Sequence, residues 1–270
     1  MNIPFVKMHG NGNDFIIIDN DKLKIKQDKK LIKKMSDRRL GIGCDQLILM
    51  EKSKSSDVFM RIFNANGLEA EMCGNAARCV AALIFAGQRK KTVKIETISN
   101  TVIGKLEKNN EISINLKLPT QDLTKIIKKE YGETINLEHI NPFLKKGYVI
   151  NMGNPHIVFF IKNLKLINLE KIGNDIGKFK AFKNGINVEI VELISNKAIK
   201  IKFWERGVGH TPSCGSGILA AFYAAYLKKK CLASAKVLLP NGTVTASFEK
   251  DVLCITGNAE VSFLGEYNHA

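Results

Sequence analysis

The sequence contains two copies of one pattern, and matching residues are 141 positions apart. The clearest match joins MCGNAARC at 72–79 to SCGSGILAA at 213–221, which aligns Cys73 with Cys214. The same offset aligns four further pairs of polar residues: Asn13 with Asn154, Gln46 with Asn187, Asn64 with Glu205, and Asn100 with Asn241. Polar residues that keep one register across most of each half indicate a duplicated domain.

One helix in each half is apolar on all sides, whereas short runs of Ile, Val, Phe and Thr predict strands around it. Between Ala76 and Ala86 the only charged residue is Arg78, and residues 218–227 contain none. Helices of this kind must be buried, and both are too short to cross a membrane. The pattern predicts an α+β fold of two pseudo-symmetric domains, each a curled mixed sheet wrapped around a central buried helix. The lysine-rich stretch 118–146 is the expected crossing between the halves.

Composition and charge argue against two functional classes, nucleic-acid-binding proteins and membrane proteins. The 270 residues are 45% apolar, and the net charge of +15 comes from basic residues spread along the whole chain. Aromatic residues do not interleave with the lysine runs as base stacking requires, so a basic nucleic-acid-binding module is the lesser alternative. Because the sequence has neither an 18-residue apolar stretch nor a secretory signal, we expect a cytoplasmic protein that does not enter a membrane.

The six cysteines follow neither metal-ligand nor disulfide-scaffold spacing, so we expect no metal site and free thiols. Four of them are expected to be packing residues: Cys44, Cys79, Cys231 and Cys254. The other two, Cys73 and Cys214, stand at the start of the two apolar helices. A helix N-terminus favours anions and therefore thiolates.

A pair of thiols related by pseudo-symmetry suggests an acid and a base on opposite faces of one carbon. Inversion of an amino-acid stereocentre removes the α-proton from one face and delivers a proton to the other. Helix N-termini that point at the α-carboxylate would stabilise the developing negative charge without a cofactor. We therefore expect Cys73 and Cys214 to face each other across one substrate, and to oxidise to a disulfide when the site is empty and closed.

Seven segments closely resemble the diaminopimelate epimerase family, in order and with compatible spacing from Met8 to about Gly217: MHGNGNDFIIID, GIGCDQ, FNANG, CGNAARC, GNPH, ERG and CGSG. The resemblance implies a cofactor-independent, cytoplasmic, homodimeric isomerase. Its reaction would interconvert LL- and meso-2,6-diaminopimelate for lysine and peptidoglycan-precursor biosynthesis. The resemblance also implies that the last strand returns to the first domain. We therefore expect an N-terminal domain of residues 1–118 plus 259–270 and a C-terminal domain of residues 119–258.

The resemblance also implies a role for individual residues. Cys73 and Cys214 would be the acid/base pair, and Arg206 would bind the distal carboxylate in a bidentate fork. Polar side chains would hydrogen-bond the substrate: Asn13, Gln46, Asn64, Asn154 and Asn187. Backbone amides at the two helix starts would bind the reacting carboxylate: Gly74, Asn75, Gly215 and Ser216. His156 and Glu205 would tune the ionisation of the reacting groups, and Glu205 would also contact the substrate.

Two residues depart from the family pattern beside the second thiol. His210 stands where a carboxylate is common, and Pro212 is unusual in the same loop. These departures bear on substrate preference, so a related two-cysteine racemase of the histidine or proline type stays open as an alternative.

Overall fold

The computed structural model describes residues 2–25 and 27–269, and the chain divides into two compact units. The first unit contains the residues up to Asn115 together with those from Thr256 onward, and the second unit is Leu116–Ile255. The boundaries thus lie at 115/116 and 255/256, where the sequence predicts 118/119 and 258/259. Within the described part of the chain, no helix is both long and apolar enough to span a membrane.

The first unit contains eight strands and three helices from the N-terminal half of the described chain, together with its last strand. In order, these elements are β1 (Asn2–Gly10), β2 (Asn13–Asp19), α1 (Asn20–Leu23), α2 (Lys29–Ser36), β3 (Gln46–Glu51), β4 (Val58–Asn64), β5 (Glu69–Ala70), α3 (Gly74–Gly87), β6 (Thr92–Glu96), β7 (Thr101–Leu106), β8 (Ile112–Leu116) and β18 (Glu260–Asn268). Strand β1 pairs antiparallel with both β18 and β2. From β2 the sheet continues through β3, β4, β6 and β7 to β8.

The second unit repeats this arrangement. Its elements are β9 (Thr134–Ile135), β10 (Gly147–Asn151), β11 (Pro155–Ile161), a 3₁₀ turn (Leu164–Leu166), α4 (Leu169–Gly177), β12 (Asn187–Ser195), β13 (Ala198–Glu205), β14 (Gly209–Thr211), α5 (Gly215–Leu227), β15 (Ser234–Leu239), β16 (Gly242–Glu249) and β17 (Val252–Gly257). The sheet runs β10, β11, β12, β13, β15, β16. Its sequence of parallel and antiparallel pairs is that of β1, β2, β3, β4, β6, β7.

The strand register confirms the duplication predicted from the sequence. In the first unit Phe15 is the parallel partner of Gln46, and in the second His156 is the parallel partner of Asn187. Both pairs obey the offset of 141 residues that aligns the cysteine motifs. The α+β fold of two halves with one topology is therefore confirmed.

Each sheet packs around its own apolar helix. Helix α3 contacts β1, β2, β6 and β7, while α5 contacts β10, β11, β12, β13 and β16. Leu219 and Phe222 of α5 are fully buried. Burial of an aliphatic or aromatic side chain of this size contributes about 1.5–3 kcal/mol relative to an exposed one. The apolar helices are thus the centre of each core, and each helix begins at one of the two cysteine motifs.

The stretch predicted as the crossing between the halves belongs to the second unit. Ile126, Ile127, Ile135 and Leu137 pack into its core together with Val149. Apolar residues among the lysines therefore anchor most of this segment in the second unit, and the chain passes from the first unit to the second just before it, at 115/116. Helix α2 follows Asp28, whose side chain caps its first turn by accepting a hydrogen bond from the Lys30 backbone N–H.

Candidate active site

In the first unit Cys73 is the N-cap residue of α3, with an extended backbone conformation. Its Sγ lies 3.8 Å from Asn13 Oδ1, which also accepts a hydrogen bond from Asn75 Nδ2 at 3.2 Å. Asn13 is held in this orientation because its Nδ2 donates to Asp45 Oδ2 at 2.8 Å. Three predicted site residues thus lie together, and Asp45 adds an orienting contact that sequence reasoning missed.

Two more predicted residues of the first unit lie opposite each other on β3 and β4. Gln46 and Asn64 are direct antiparallel partners, and Gln46 Nε2 donates to Asn64 Oδ1 at 2.9 Å. Gln46 Oε1 is buried and has no hydrogen-bond partner among the described residues. A buried acceptor of this kind costs free energy unless a ligand or water pairs with it. Gly74 is open above its Cα, because an added Cβ would meet nothing within 4 Å.

In the second unit Cys214 is the N-cap residue of α5, and its Sγ lies 3.5 Å from Ser216 Oγ. The thiol is buried. Burial and the negative charges of Glu205 and Glu189 raise the pKa of the Cys214 thiol well above its ordinary value. The neutral thiol is therefore the favoured form of Cys214 near neutral pH.

A chain of hydrogen bonds connects Ser216 to a buried histidine and its carboxylate partner. Ser216 Oγ accepts from Asn154 Nδ2 at 3.2 Å, and Asn154 Oδ1 lies 3.0 Å from His156 Nε2. The other ring nitrogen of His156 lies 2.7 Å from Glu189 Oε1, and both side chains are almost completely excluded from solvent. Burial raises the pKa of Glu189, while the His156 charge and hydrogen bond lower it. These two contacts fix the orientation of the His156 ring.

Glu189 is the main functional candidate that sequence reasoning missed. Its signal is a carboxylate inside the apolar strand β12, in NVEIVEL. A Cβ added at Gly217 would lie 2.6 Å from Glu189 Oε1, so this glycine allows the first turn of α5 to approach the carboxylate. Packing against Glu189 therefore requires a glycine at position 217, the second glycine of CGSG.

The remaining predicted residues of the second unit occupy the ends of β12 and β13. Asn187 Nδ2 donates to the Pro155 carbonyl at 2.9 Å, and Asn187 Oδ1 accepts from the Arg206 backbone N–H at 2.8 Å. This leaves one amide N–H of Asn187 for a ligand. The exposed Arg206 donates from Nη1 to the Asn184 carbonyl at 3.1 Å, and its other guanidinium N–H groups make no hydrogen bond to the described residues.

Glu205 is oriented by the loop that contains both departures from the family pattern. Its Oε1 accepts a hydrogen bond from Thr211 Oγ1 at 2.6 Å. The residues on either side of Thr211, His210 and Pro212, are both exposed. Over residues 2–25 and 27–269, no group of three or more His, Cys, Asp or Glu side chains is arranged as a metal site.

Comparisons with known proteins agree with the motifs. The family model described as diaminopimelate epimerase matches residues 5–117 and 148–262, one segment in each half. The chain is 37% identical to the diaminopimelate epimerase of Carboxydothermus hydrogenoformans over 98% of its own length and 99% of that protein. It is 36% identical to the diaminopimelate epimerase of Erythrobacter litoralis over 99% and 98% of the two chains.

Solved structures with low sequence identity share the fold. A predicted epimerase from Pseudomonas aeruginosa superposes with a TM-score of 0.72 at 11% identity, covering 99% of this chain and 100% of that one. A hydroxyproline epimerase from Agrobacterium vitis superposes with a TM-score of 0.68 at 10% identity, covering 98% and 91% of the two chains.

Proposed function

Because the chain belongs to the diaminopimelate epimerase family, we propose that it interconverts LL- and meso-2,6-diaminopimelate by inverting one α-carbon. The chain is an isomerase, as its relatives are. The observation that carries the proposal is that each unit places a cysteine as the N-cap residue of a buried apolar helix. The resemblance stated from the sequence motifs alone is confirmed by the match to the family model.

In the proposed reaction the two thiols act on opposite faces of one α-carbon. A thiolate takes the α-proton, so that a C–H bond breaks and an S–H bond forms. The second thiol then gives its proton to the other face of the carbanion, and its S–H bond breaks as the new C–H bond forms. The thiols of Cys73 and Cys214 have these roles, which exchange when the reaction runs in reverse.

The first turns of α3 and α5 bind the carboxylate next to the reacting carbon. Backbone N–H groups at a helix start carry partial positive charge and are not used within the helix. The open space above Gly74 supports this role, since a side chain there would fill the approach to the amides. As the negative charge of the carbanion spreads into the carboxylate, these N–H groups stabilise it, and the reaction needs no cofactor.

Side chains around the thiols bind the rest of the substrate. Arg206 binds the distal carboxylate, and its guanidinium N–H groups that bond no described residue support this role. Gln46 Oε1, a buried acceptor without a partner among the described residues, receives an N–H of the substrate. The polar side chains of Asn13, Asn64, Asn154 and Asn187 complete the site together with His156 and Glu205.

The enzyme is a cytoplasmic homodimer in this proposal. The exposed apolar side chains of Val261, Phe263 and Leu264 on β18 support an interface between copies. Light scattering of the purified protein is expected to give twice the mass of 30.0 kDa. A monomer at micromolar concentration would contradict this part of the proposal.

The decisive experiment follows exchange of the α-hydrogen in deuterium oxide by mass spectrometry. LL-diaminopimelate is expected to acquire deuterium and to convert to the meso form, whereas L-histidine and L-proline are expected to stay unlabelled. Cys73→Ala and Cys214→Ala should each abolish inversion, and Cys231→Ala, a buried thiol of the second unit, serves as the matched control. Exchange into histidine or proline but not diaminopimelate would contradict the proposed substrate. Near-normal inversion by either active-site variant would contradict the paired thiols.

A further inference from the structure

The second unit contains a cavity of about 430 Å³ whose lining includes none of the candidate active-site residues. Its apolar part includes the rings of Tyr148 on β10 and Phe160 on β11, together with Phe143 and Leu166. The Tyr148 and Phe160 rings meet edge to face, with their centroids 5.8 Å apart. Phe143 is 43% exposed and Leu166 is 46% exposed, so solvent reaches this apolar surface. A cavity of this volume suits a small molecule.

The charged part of the lining has one sign. Among the described residues that line the cavity none is acidic, and four are lysines: Lys145, Lys146, Lys162 and Lys230. A fifth lysine, Lys228, stands beside them just after the end of α5, with its Nζ 4.9 Å from the centroid of the Tyr148 ring. Lys145 forms an ion pair with Glu138 at 3.3 Å, and the other four lysines form none with a described residue. The cavity is therefore complementary to an anion.

Three of these lysines lie over the aromatic rings. Besides Lys228, the Nζ of Lys146 lies 5.6 Å from the centroid of the Tyr148 ring, and the Nζ of Lys230 lies 5.5 Å from that of Phe160. Two ammonium groups thus share one tyrosine ring. Like charges held this close repel each other, and a bound anion would remove the repulsion.

The duplicated fold does not require this combination of residues. Strands β2 and β11 keep the offset of 141 residues, which aligns Phe160 with the exposed Asp19 of the first unit. The first unit thus has a carboxylate where the second has a ring of the cavity. Phe160 also follows His156 by four residues on β11, about 13 Å along an extended strand. The cavity is therefore a feature of the second half that lies away from the reacting groups.

We propose that this cavity binds an organic anion that combines a flat aromatic ring with at least two negative charges, the chemistry of a nucleoside di- or triphosphate. The ring of the ligand packs against Tyr148 and Phe160, and the lysine ammonium groups turn on their flexible stems towards the phosphates. Lysine binds phosphate as a point charge, whereas bidentate binding of a carboxylate favours arginine, and the described lining contains no arginine.

The lining also predicts how selective the site is. Among the described lining residues no amide, hydroxyl of serine or threonine, or carboxylate is available to hydrogen-bond the edge of a base. Stacking on an aromatic ring accepts any base. Purine and pyrimidine triphosphates are therefore expected to bind with affinities within about tenfold of each other. This binding does not depend on the proposed epimerase reaction.

Isothermal titration calorimetry of the full chain with ATP tests the proposal, and one ATP is expected to bind per chain. The double variant Lys228→Gln, Lys230→Gln should weaken binding about tenfold or more, because two charge-assisted contacts are lost. The double variant Lys178→Gln, Lys180→Gln removes the same charge from exposed positions outside the cavity and is the matched control. Its affinity should change by less than about twofold, since distant surface charges are screened. Equal losses in the two variants would show that the net charge of +15 alone attracts ATP, and would overturn the proposal.

A second variant tests the aromatic part of the site. Phe160→Leu keeps an apolar side chain but removes the ring, so ATP should bind about fivefold more weakly or worse, whereas tripolyphosphate should bind as it does to the parent protein. Tripolyphosphate that binds the parent protein as tightly as ATP, or no saturable binding of ATP, would overturn the proposal. Displacement of ATP by a lower concentration of oligothymidylate would assign the cavity to a nucleic-acid surface instead.

The same titration separates this site from the candidate active site. Cys73→Ala is expected to bind ATP as the parent protein does, because its thiol lies in the other unit. A loss of ATP binding in that variant would contradict a separate site. If the proposed substrate is wrong, deuterium exchange into LL-diaminopimelate is absent while the binding of ATP and its dependence on Lys228 and Lys230 stay unchanged.

Discussion

Alkaline pH is expected to destabilise this protein through a thiol inside helix α3. Cys79 is 0% exposed and is surrounded by the core of the first unit. Burial raises the pKa of its thiol from the ordinary value of 9.0 to about 12, although the nearby charge of Arg78 lowers it slightly. In the unfolded chain the same thiol returns to its ordinary pKa.

The sign follows from proton binding. Above pH 9 the unfolded chain loses the Cys79 proton while the folded chain keeps it, so the unfolded state is increasingly favoured as the pH rises towards 12. One pKa unit corresponds to about 1.4 kcal/mol. Between pH 7 and pH 10.5 the contribution of Cys79 to the free energy of unfolding should therefore fall by about 2 kcal/mol. The full shift corresponds to a loss of about 4 kcal/mol at pH 12 and above.

Urea unfolding at pH 7, 9 and 10.5 measures this contribution. Cys79→Ala leaves a small cavity and should be less stable than the parent protein at pH 7, but its stability should fall less steeply by about 2 kcal/mol over the same range. Val80→Ala is the control, because it shortens a fully buried side chain next to Cys79 in the sequence without changing any titrating group. Its curve should run parallel to that of the parent protein. A Cys79→Ala curve that is also parallel would refute the reasoning.

Two further substitutions test individual contacts. Gly217→Ala would place a Cβ 2.6 Å from Glu189 Oε1, so we expect a loss of about 1–3 kcal/mol in urea unfolding from overpacking. Asp14 is partly buried, which by itself would raise its pKa, but hydrogen bonds from Arg38 and Lys7 lower the pKa below its usual range. Its stabilising contribution is present above its unfolded pKa and is lost as the pH falls, so Asp14→Asn should unfold with a flatter dependence between pH 5 and pH 2. If the stability of Asp14→Asn falls as steeply between pH 5 and pH 2 as that of the parent protein, Asp14 does not make this contribution.

The central features of the fold could be predicted because they leave a periodic signal. Two apolar runs of helical length, one with Arg78 as its single charged residue and one with none, predict two buried helices, and polar residues in one register predict a duplication. Strand β1 was not predicted although Ile3 and Phe5 are buried on one face. It pairs antiparallel with β2, the next strand along the chain, and with β18, near the other end. Local pattern does not identify the second of these pairings. Helix α4 was also missed, since Gly173 and Gly177 interrupt a short pattern.

Site residues could be predicted where they lie in a recognisable motif, but not where they lie outside one. Asn13, Asn75 and Cys73 lie in recognisable segments and contact one another in the structure. Glu189 was missed because alternation along NVEIVEL places it on the face opposite Val188, which suggests solvent for one of the two. In the structure both faces of this strand are covered, and Val188, Glu189 and Ile190 are all buried. The His156 partner of Glu189 explains how the carboxylate is tolerated there.

The differences between the two halves matter for the proposed chemistry as much as their likeness. Inversion by two thiols needs a base on one face of the carbon and an acid on the other, so at any moment one thiol must be ionised and the other protonated. At three matched positions one half has a buried ionisable side chain and the other an apolar one: Arg78 and Leu219, Phe15 and His156, Ile48 and Glu189. The first half has a cation where the second has an apolar residue, and the second has a histidine and a carboxylate where the first has apolar residues. A duplicated fold supplies the likeness of the two helix starts, and these substitutions in its cores give the two halves different electrostatic surroundings.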